Sequence, residues 1–135
     1  LLDFLFSHLI EPDLGQQAPM IVYDYPAESA SLAKVKEQEN PVAMRFELYY
    51  KGLELANGYD ELLDPAVLKA RFKADNRART INNLPTIPED KYLLAAMEAG
   101  LPQSAGIALG FDRLLMTIQQ CQHLEQVIPF LNKDA

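Results

Sequence analysis

Cysteine is almost missing from this chain. Cys121 stands alone, so no internal disulfide can form, and a single free thiol fits a reducing, cytoplasmic setting. Long apolar runs are missing as well: none approaches the ~20 residues of a membrane span, and no secretory leader pattern is present. Those two absences point to a protein with no membrane association. Excess positive charge is also lacking. Twelve Lys and Arg against 19 Asp and Glu leave a formal charge of −7, the wrong sign for a chain laid along phosphate backbones. No internal repeat, low-complexity tract or linker divides the 135 residues, which are enough for one domain with a core. The first residue is Leu rather than Met, which reads as part of a longer polypeptide.

What is present is concentrated from Arg45 to Asp64, RFELYYKGLELANGYDELLD. Strand side chains repeat every two residues, so Arg45, Glu47 and Tyr49 share one face and Phe46, Leu48 and Tyr50 the other. Lys51-Gly52 is the place to turn, and Leu53 to Asn57 runs back as a second strand. A turn centred on Tyr50 and Lys51 sets Glu47 and Glu54 directly opposite. Centred one residue later, it sets Glu54 opposite Tyr49 and diagonal to Glu47. Like charges so placed repel. Two readings remain: a solvated face where water and salt screen them, or a shared divalent cation such as magnesium, which takes carboxylate oxygens with phosphates completing its shell. Asn57, Gly58 and Glu61 continue the polar density, which favours a site.

Around this hairpin the pattern predicts a helix over Leu1 to Ile10, with Leu1, Leu2, Leu5 and Leu9 near one face and Pro12 as its stop. Met20 to Tyr25 reads as a strand, and Ala27 to Glu39 as a loop or short helix. Asp64-Pro65 caps and opens a helix to about Thr80, with Val67, Leu68 and Phe72 inward. Lys69, Arg71, Lys73, Arg77 and Arg79 read as its wet side. Glu89 to Ala99 is a further helix with Leu93, Ala96 and Met97 inward and Gly100 as its stop. Ala105 to Phe111 reads as strand, and Asp112 to about Gln120 as helix with Leu115 and Ile118 buried. The tail residues Val127, Ile128, Phe130 and Leu131 are expected to pack. Cys121 and His123, two apart, point to different sides of a helix, so no Cys/His nucleophile pair is expected. The irregular alternation with a central hairpin predicts an α+β fold: an antiparallel sheet flanked by helices.

A second constellation is GIALGFDR, Gly106 to Arg113. Glycine weakens a strand and is usually kept where backbone or ligand comes close; two occur here, four apart. Arg113 in the first turn of a helix meets an unfavourable macrodipole unless something negative faces it. Either a surface carboxylate or a phosphate oxygen would serve, and phosphate suits the planar fork better.

GIALGFDR resembles motif 3 of the class II aminoacyl-tRNA synthetases, commonly G-x-G-x-G-x-acid-R. RFELYYKGLELANGYDEL resembles the lysine-specific branch of that class, as do YPAE at Tyr25 to Glu28 and SLA at Ser31 to Ala33. Within that branch the wording is most similar to the paralogues that modify a protein, the (R)-β-lysine ligases of elongation factor P. Enzymes that charge tRNA usually have glycine where this chain has Ala56 and Ala108.

The resemblance implies that residues 1–135 are the C-terminal part of a class II catalytic domain, with motifs 1 and 2 upstream. It implies an ATP-dependent ligase that activates lysine or (R)-β-lysine as an adenylate, with ATP and magnesium. The acyl group would pass to a lysine of elongation factor P or, in the alternative, to lysine tRNA; a non-catalytic binding module is the third reading. A homodimer through motif 1 is implied at full length. Carried over by position, Glu47 and Glu54 match the magnesium and ATP ligands, and Arg113 the γ-phosphate arginine. Glu54 and Arg113 are therefore the candidate catalytic pair, and Gly110 joins the ATP site. Asn57 matches a contact near the amino-acid head or metal, and Glu61 the acid that receives the side-chain ammonium. Gly106 and Ala108 fall on the substrate pocket, where the extra methyl of Ala108 weighs against ordinary α-lysine. Glu28 has no assignment. Without motif 2, these 135 residues alone are expected to fold but not to catalyse.

Overall fold

In the computed structural model, residues 2–130 are described. In chain order they form α1 (Leu2–Leu5), a π-helical turn (Phe6–Ile10), β1 (Met20–Pro26), β2 (Val35–Lys36), β3 (Val42–Tyr50), β4 (Leu53–Asp60), α2 (Pro65–Ile81), α3 (Lys91–Gly100), β5 (Ala105–Leu109) and α4 (Phe111–Gln119). The sheet order is β1-β3-β4-β5, with β2 added to β3. This is the expected α+β class, with an antiparallel sheet and helices. The chain divides into two units: one holds residues up to 25, 45–58 and 107 onward, the other 26–44 and 59–106.

The first unit is built on the hairpin. Lys51 and Gly52 both have positive φ, 52° and 73°, the signature of a two-residue turn whose twist matches that of the strands. Such a loop fixes Tyr50 opposite Leu53, and so sets Glu54 opposite Tyr49 and diagonal to Glu47. A backbone segment braces the turn from below: Lys51 N–H donates to Gly15 C=O at 3.0 Å and Gly52 N–H to Leu14 C=O at 2.9 Å. Gly15, at φ 67°, approaches so closely that a Cβ there would lie 2.5 Å from the Tyr49 carbonyl oxygen.

Other expectations for this unit need correction. The apolar face foreseen for the first helix is exposed at Leu2, Leu5 and Leu9, and Leu1 lies outside the described residues. Phe6 does the packing instead, edge-on to Tyr25 and Tyr49 at 6.2 Å from each ring. β5 ends at Leu109, and α4 starts at Phe111 with Gly110 as its N-cap. Met116 is the buried residue of α4, whereas Ile118 is exposed. In the tail Val127 and Ile128 are half-buried and Phe130 is exposed; Leu131 lies outside the described residues. Cys121 and His123 both follow the end of α4, so helix geometry is not what separates them.

The second unit has its core where α2 meets α3. Leu68, Leu94 and Met97 are buried together, with Leu62, Phe72 and Leu93 against them. Asp64 caps α2 as expected, accepting from Ala66 N–H at 2.8 Å and Val67 N–H at 3.3 Å, a cap worth about 1 kcal/mol. Val67 and Ala96, expected inward, are exposed; Leu68 is buried as expected, and Leu94 joins it in the core. Ala27 to Glu39 resolves into a 3-10 turn (Ala27–Ser29), with Glu28 exposed, and β2, which pairs Val35 with Ala43 and Lys36 with Val42. The basic side of α2 is only partly wet. Lys69 meets Glu98 at 2.6 Å, Arg79 donates to Pro85 C=O at 2.7 Å, and Arg71 donates to two carbonyls.

Candidate functional site

Alternation along β3 brings Arg45, Glu47 and Tyr49 to one face, as the sequence requires, but that face is not solvated at Glu47. Its carboxylate is buried, with 6% of the residue exposed. Tyr25 Oη donates to Oε2 at 2.6 Å, Tyr49 Oη donates to the same oxygen, and Arg45 donates to Oε1. The Arg45 guanidinium also lies 4.7 Å from the centre of the Tyr25 ring, a cation–π contact. Burial and the bonds to Glu47 push both phenols well above the usual tyrosine range, so they remain protonated donors. The solvated-face reading therefore fails for Glu47, which is the acceptor of a buried polar network.

Glu54 is placed differently. It lines a cavity of about 360 Å³ with Asn57, Ala108, Gly110, Asp112 and Arg113. Asn57 Nδ2 donates to Glu54 Oε1 at 3.2 Å, and Arg113 Nη1 comes only to 3.5 Å of Oε2. The firm bond of that guanidinium is to the Glu54 backbone carbonyl, at 2.8 Å. This holds Arg113, half its side chain exposed, on the cavity with only Nη1 engaged among the described residues. The surface-pair reading of Arg113 thus holds only as a long contact. Gly110 has φ −74°, and a Cβ there would meet only ordinary contacts, the nearest at 3.5 Å. Neither backbone nor neighbours require glycine at this position, which is the N-cap of α4. Ala56, which is buried, and Ala108, which is exposed, both line the cavity.

The field in this unit is negative. Glu11, in the 3-10 turn that ends at Asp13, has its pKa raised by burial and then by the charges of Glu54 and Glu47, with Arg113 opposing. Hard oxygen donors in a negative field are what magnesium takes, and Glu54 and Asn57 offer such donors to the cavity. Glu47 does not line it, and three of the roughly four acceptor sites of its carboxylate are occupied. No group of three or more His, Cys, Asp or Glu converges as a metal cluster among the described residues, so any cation here would depend on a ligand's oxygens to complete its shell.

In the second unit the structure brings together the other two assigned residues. Glu61 follows β4 and pairs in antiparallel fashion with Ala33. Its N–H donates to Ser104 C=O at 3.1 Å, and the Leu62 N–H donates to Leu32 C=O at 2.9 Å. A Cβ on Gly106 would collide with Glu61 Oε1. Gly106 thus leaves space for the carboxylate of Glu61, the far end of a flexible side chain.

Sequence reasoning passed over Tyr25, Tyr49, Glu11 and Arg71. Tyr49 was legible as a neighbour of Glu47 on the same strand face. Tyr25 and Arg71 lie 22 and 40 residues from what they contact, Glu11 is influenced by residues at least as remote as Glu47, and no local pattern marks them.

Residues 6–134 match the model of the family described as tRNA synthetases class II (D, K and N). The chain is 50% identical over 130 residues to an elongation factor P–(R)-β-lysine ligase of Mannheimia succiniciproducens, covering 96% of this chain and 40% of that protein. It is 52% identical over 130 residues to the ligase of the same name from Vibrio cholerae, with the same coverage. A third ligase of that name, from Haemophilus influenzae, is 48% identical over 135 residues, 100% of this chain and 42% of the relative. The chain thus spans about two fifths of the length of these curated relatives. With nearly its whole length matched by the family model, the chain belongs to the class II tRNA synthetases of the D, K and N group.

Proposed function

We propose that the protein carrying this chain activates (R)-β-lysine, or lysine, with ATP and transfers the acyl group to a lysine of elongation factor P. The observation that carries this reading is the cavity in which a half-free arginine, a loosely held glutamate and an unexplained glycine converge. Its wall also carries Ala56 and Ala108, the two alanines that distinguish the chain from the tRNA-charging wording. The names of the relatives supply the acceptor.

In this reading the carboxylate of the amino acid attacks the α-phosphorus of ATP. The bond to the bridging oxygen breaks, and pyrophosphate leaves with the electron pair. Such a step needs positioning and charge neutralisation more than a nucleophilic side chain. Arg113 holds a γ-phosphate oxygen through the N–H groups that Glu54 leaves free, and Gly110 lets the phosphates approach the backbone. Glu54 and Asn57 offer oxygens to magnesium, while Glu47, held by Tyr25, Tyr49 and Arg45, fixes the strand beside them. When bound, magnesium would neutralise phosphate charge and orient the leaving group. Glu61, seated over Gly106, receives the side-chain ammonium of the amino acid.

The full-length protein should catalyse ATP–pyrophosphate exchange dependent on (R)-β-lysine and magnesium, and should then label elongation factor P. Exchange without transfer to that protein, but with transfer to lysine tRNA, would overturn the acceptor. No exchange with either amino acid would overturn the reading as a whole.

A further inference from the structure

Arg71 is a cation that helical pattern alone assigns to solvent, yet the structure gives it a task. It projects from α2 beside Phe72, a residue packed on the Leu68 core. One nitrogen, Nη1, donates to Ser31 C=O at 2.5 Å and to Ala33 C=O at 2.8 Å. The segment it grips is tightly bent: Ser31 has φ 50°, and Ala33 N–H donates to Ala30 C=O at 2.7 Å. The alanines on either side, Ala30 and Ala33, are buried at 2% and 0% exposure. Three successive carbonyls are thereby satisfied, those of Ser31 and Ala33 by Arg71 and that of Leu32 by the Leu62 N–H.

That segment is also the strand partner of the ammonium-binding candidate. Ala33 pairs with Glu61, Lys34 N–H donates to Asp60 C=O at 2.8 Å, and Lys34 Nζ meets Asp60 Oδ1 at 2.5 Å. We propose that Arg71 is a positioning residue for Glu61: by clamping the carbonyls of Ser31 and Ala33 it fixes the backbone against which Glu61 is registered over Gly106. The proposal rests on the role given to Glu61 above. Arg71 makes no ion pair with Glu61 among the described residues, so its action runs through the backbone. Burial lowers its pKa, with Asp75 opposing, and an arginine so placed still keeps its charge. Carbonyls stripped of a charged donor must find water or move, and the nearest thing to move is the edge on which Glu61 depends.

The test uses the full-length protein with Arg71→Met, Arg71→Lys and Glu61→Gln. For Arg71→Met, amide hydrogen exchange should accelerate at least tenfold at Leu62 and Lys34 while Leu94 and Met97 in the α2–α3 core keep their protection. KM for the amino acid should rise at least tenfold, with KM for ATP within twofold of wild type. Arg71→Lys, whose ammonium can still reach the carbonyls, should recover to within threefold. A uniform loss of protection across the second unit would mean that Arg71 is a general stabiliser, and would overturn the proposal. So would unchanged exchange at Leu62 and Lys34. If Glu61→Gln leaves the amino-acid KM unchanged, it is the role of Glu61 that fails; exchange at Leu62 and Lys34 then decides the part played by Arg71 on its own.

Discussion

The two ends of one hairpin hold the same side chain in opposite states. Near the middle of β3, Glu47 is buried and both its oxygens accept from Tyr25, Tyr49 and Arg45. At the start of β4, Glu54 lies partly exposed on a cavity, with 27% of its side chain accessible, held by one 3.2 Å bond from Asn57 and a 3.5 Å approach from Arg113. Sequence alternation cannot separate them. What separates them is the partner supplied by β1: Tyr25 donates to Glu47, and among the described residues no phenol donates to Glu54. A carboxylate whose acceptor sites are filled fixes structure, and one whose sites are open can bind.

Removing Glu47 should therefore have the largest effect, and it should be on stability. Glu47→Ala takes away the acceptor of two phenols and a guanidinium, and breaking a buried charged network in this way costs about 3–5 kcal/mol. Chemical denaturation of the full-length protein measures it; a loss below ~1 kcal/mol, the scale of a surface substitution, would erase the contrast.

The phenols sharpen it next. Tyr49→Phe should cost about 1.5–3 kcal/mol, the range for a hydrogen bond to a charged group. The folded-state pKa values of both tyrosines are raised. Their contribution is thus fully present below the unfolded tyrosine value near ~10 and is lost as pH rises above it, because the unfolded chain gives up those protons first. In an absorbance titration, the signals assigned to Tyr25 and Tyr49 by their Phe variants should appear only with unfolding. Ionisation of either phenol in the folded protein near pH 10 would contradict the network.

The smallest effect belongs to the cavity wall. Ala108→Gly removes one methyl, worth at the lower end about 1 kcal/mol. It should shift the preference between (R)-β-lysine and lysine roughly fivefold towards lysine. An unmoved ratio in wild type and variant would remove Ala108 from the selectivity account.

Much of this was readable from the chain. The hairpin, the Asp64-Pro65 cap and the α+β class follow from alternation and local capping, which are short-range signals. Glu54 and Arg113 were legible as a pair because the strand start and helix start each carried an anomaly: one charge too many, and one of the wrong sign. Helix faces were less so. Val67, Ala96 and Ile118 are exposed because an apolar residue on a short helix can belong to either margin of the buried stripe, and only the partner helix decides. The network around Glu47 and the grip of Arg71 on Ser31 and Ala33 were invisible for a different reason. They depend on contacts 22 to 40 residues apart, and periodicity carries no information at that range.

The most direct test compares Glu54→Gln with Glu47→Gln in the full-length protein, reading ATP–pyrophosphate exchange across a magnesium titration beside the unfolding free energy. Glu54→Gln should lower exchange at least tenfold and raise the magnesium requirement, with stability within ~0.5 kcal/mol of wild type. Glu47→Gln should lose stability by more than that. Wild-type magnesium dependence in Glu54→Gln, or equal losses of stability in the two variants, would contradict the assignment of one carboxylate to binding and the other to structure.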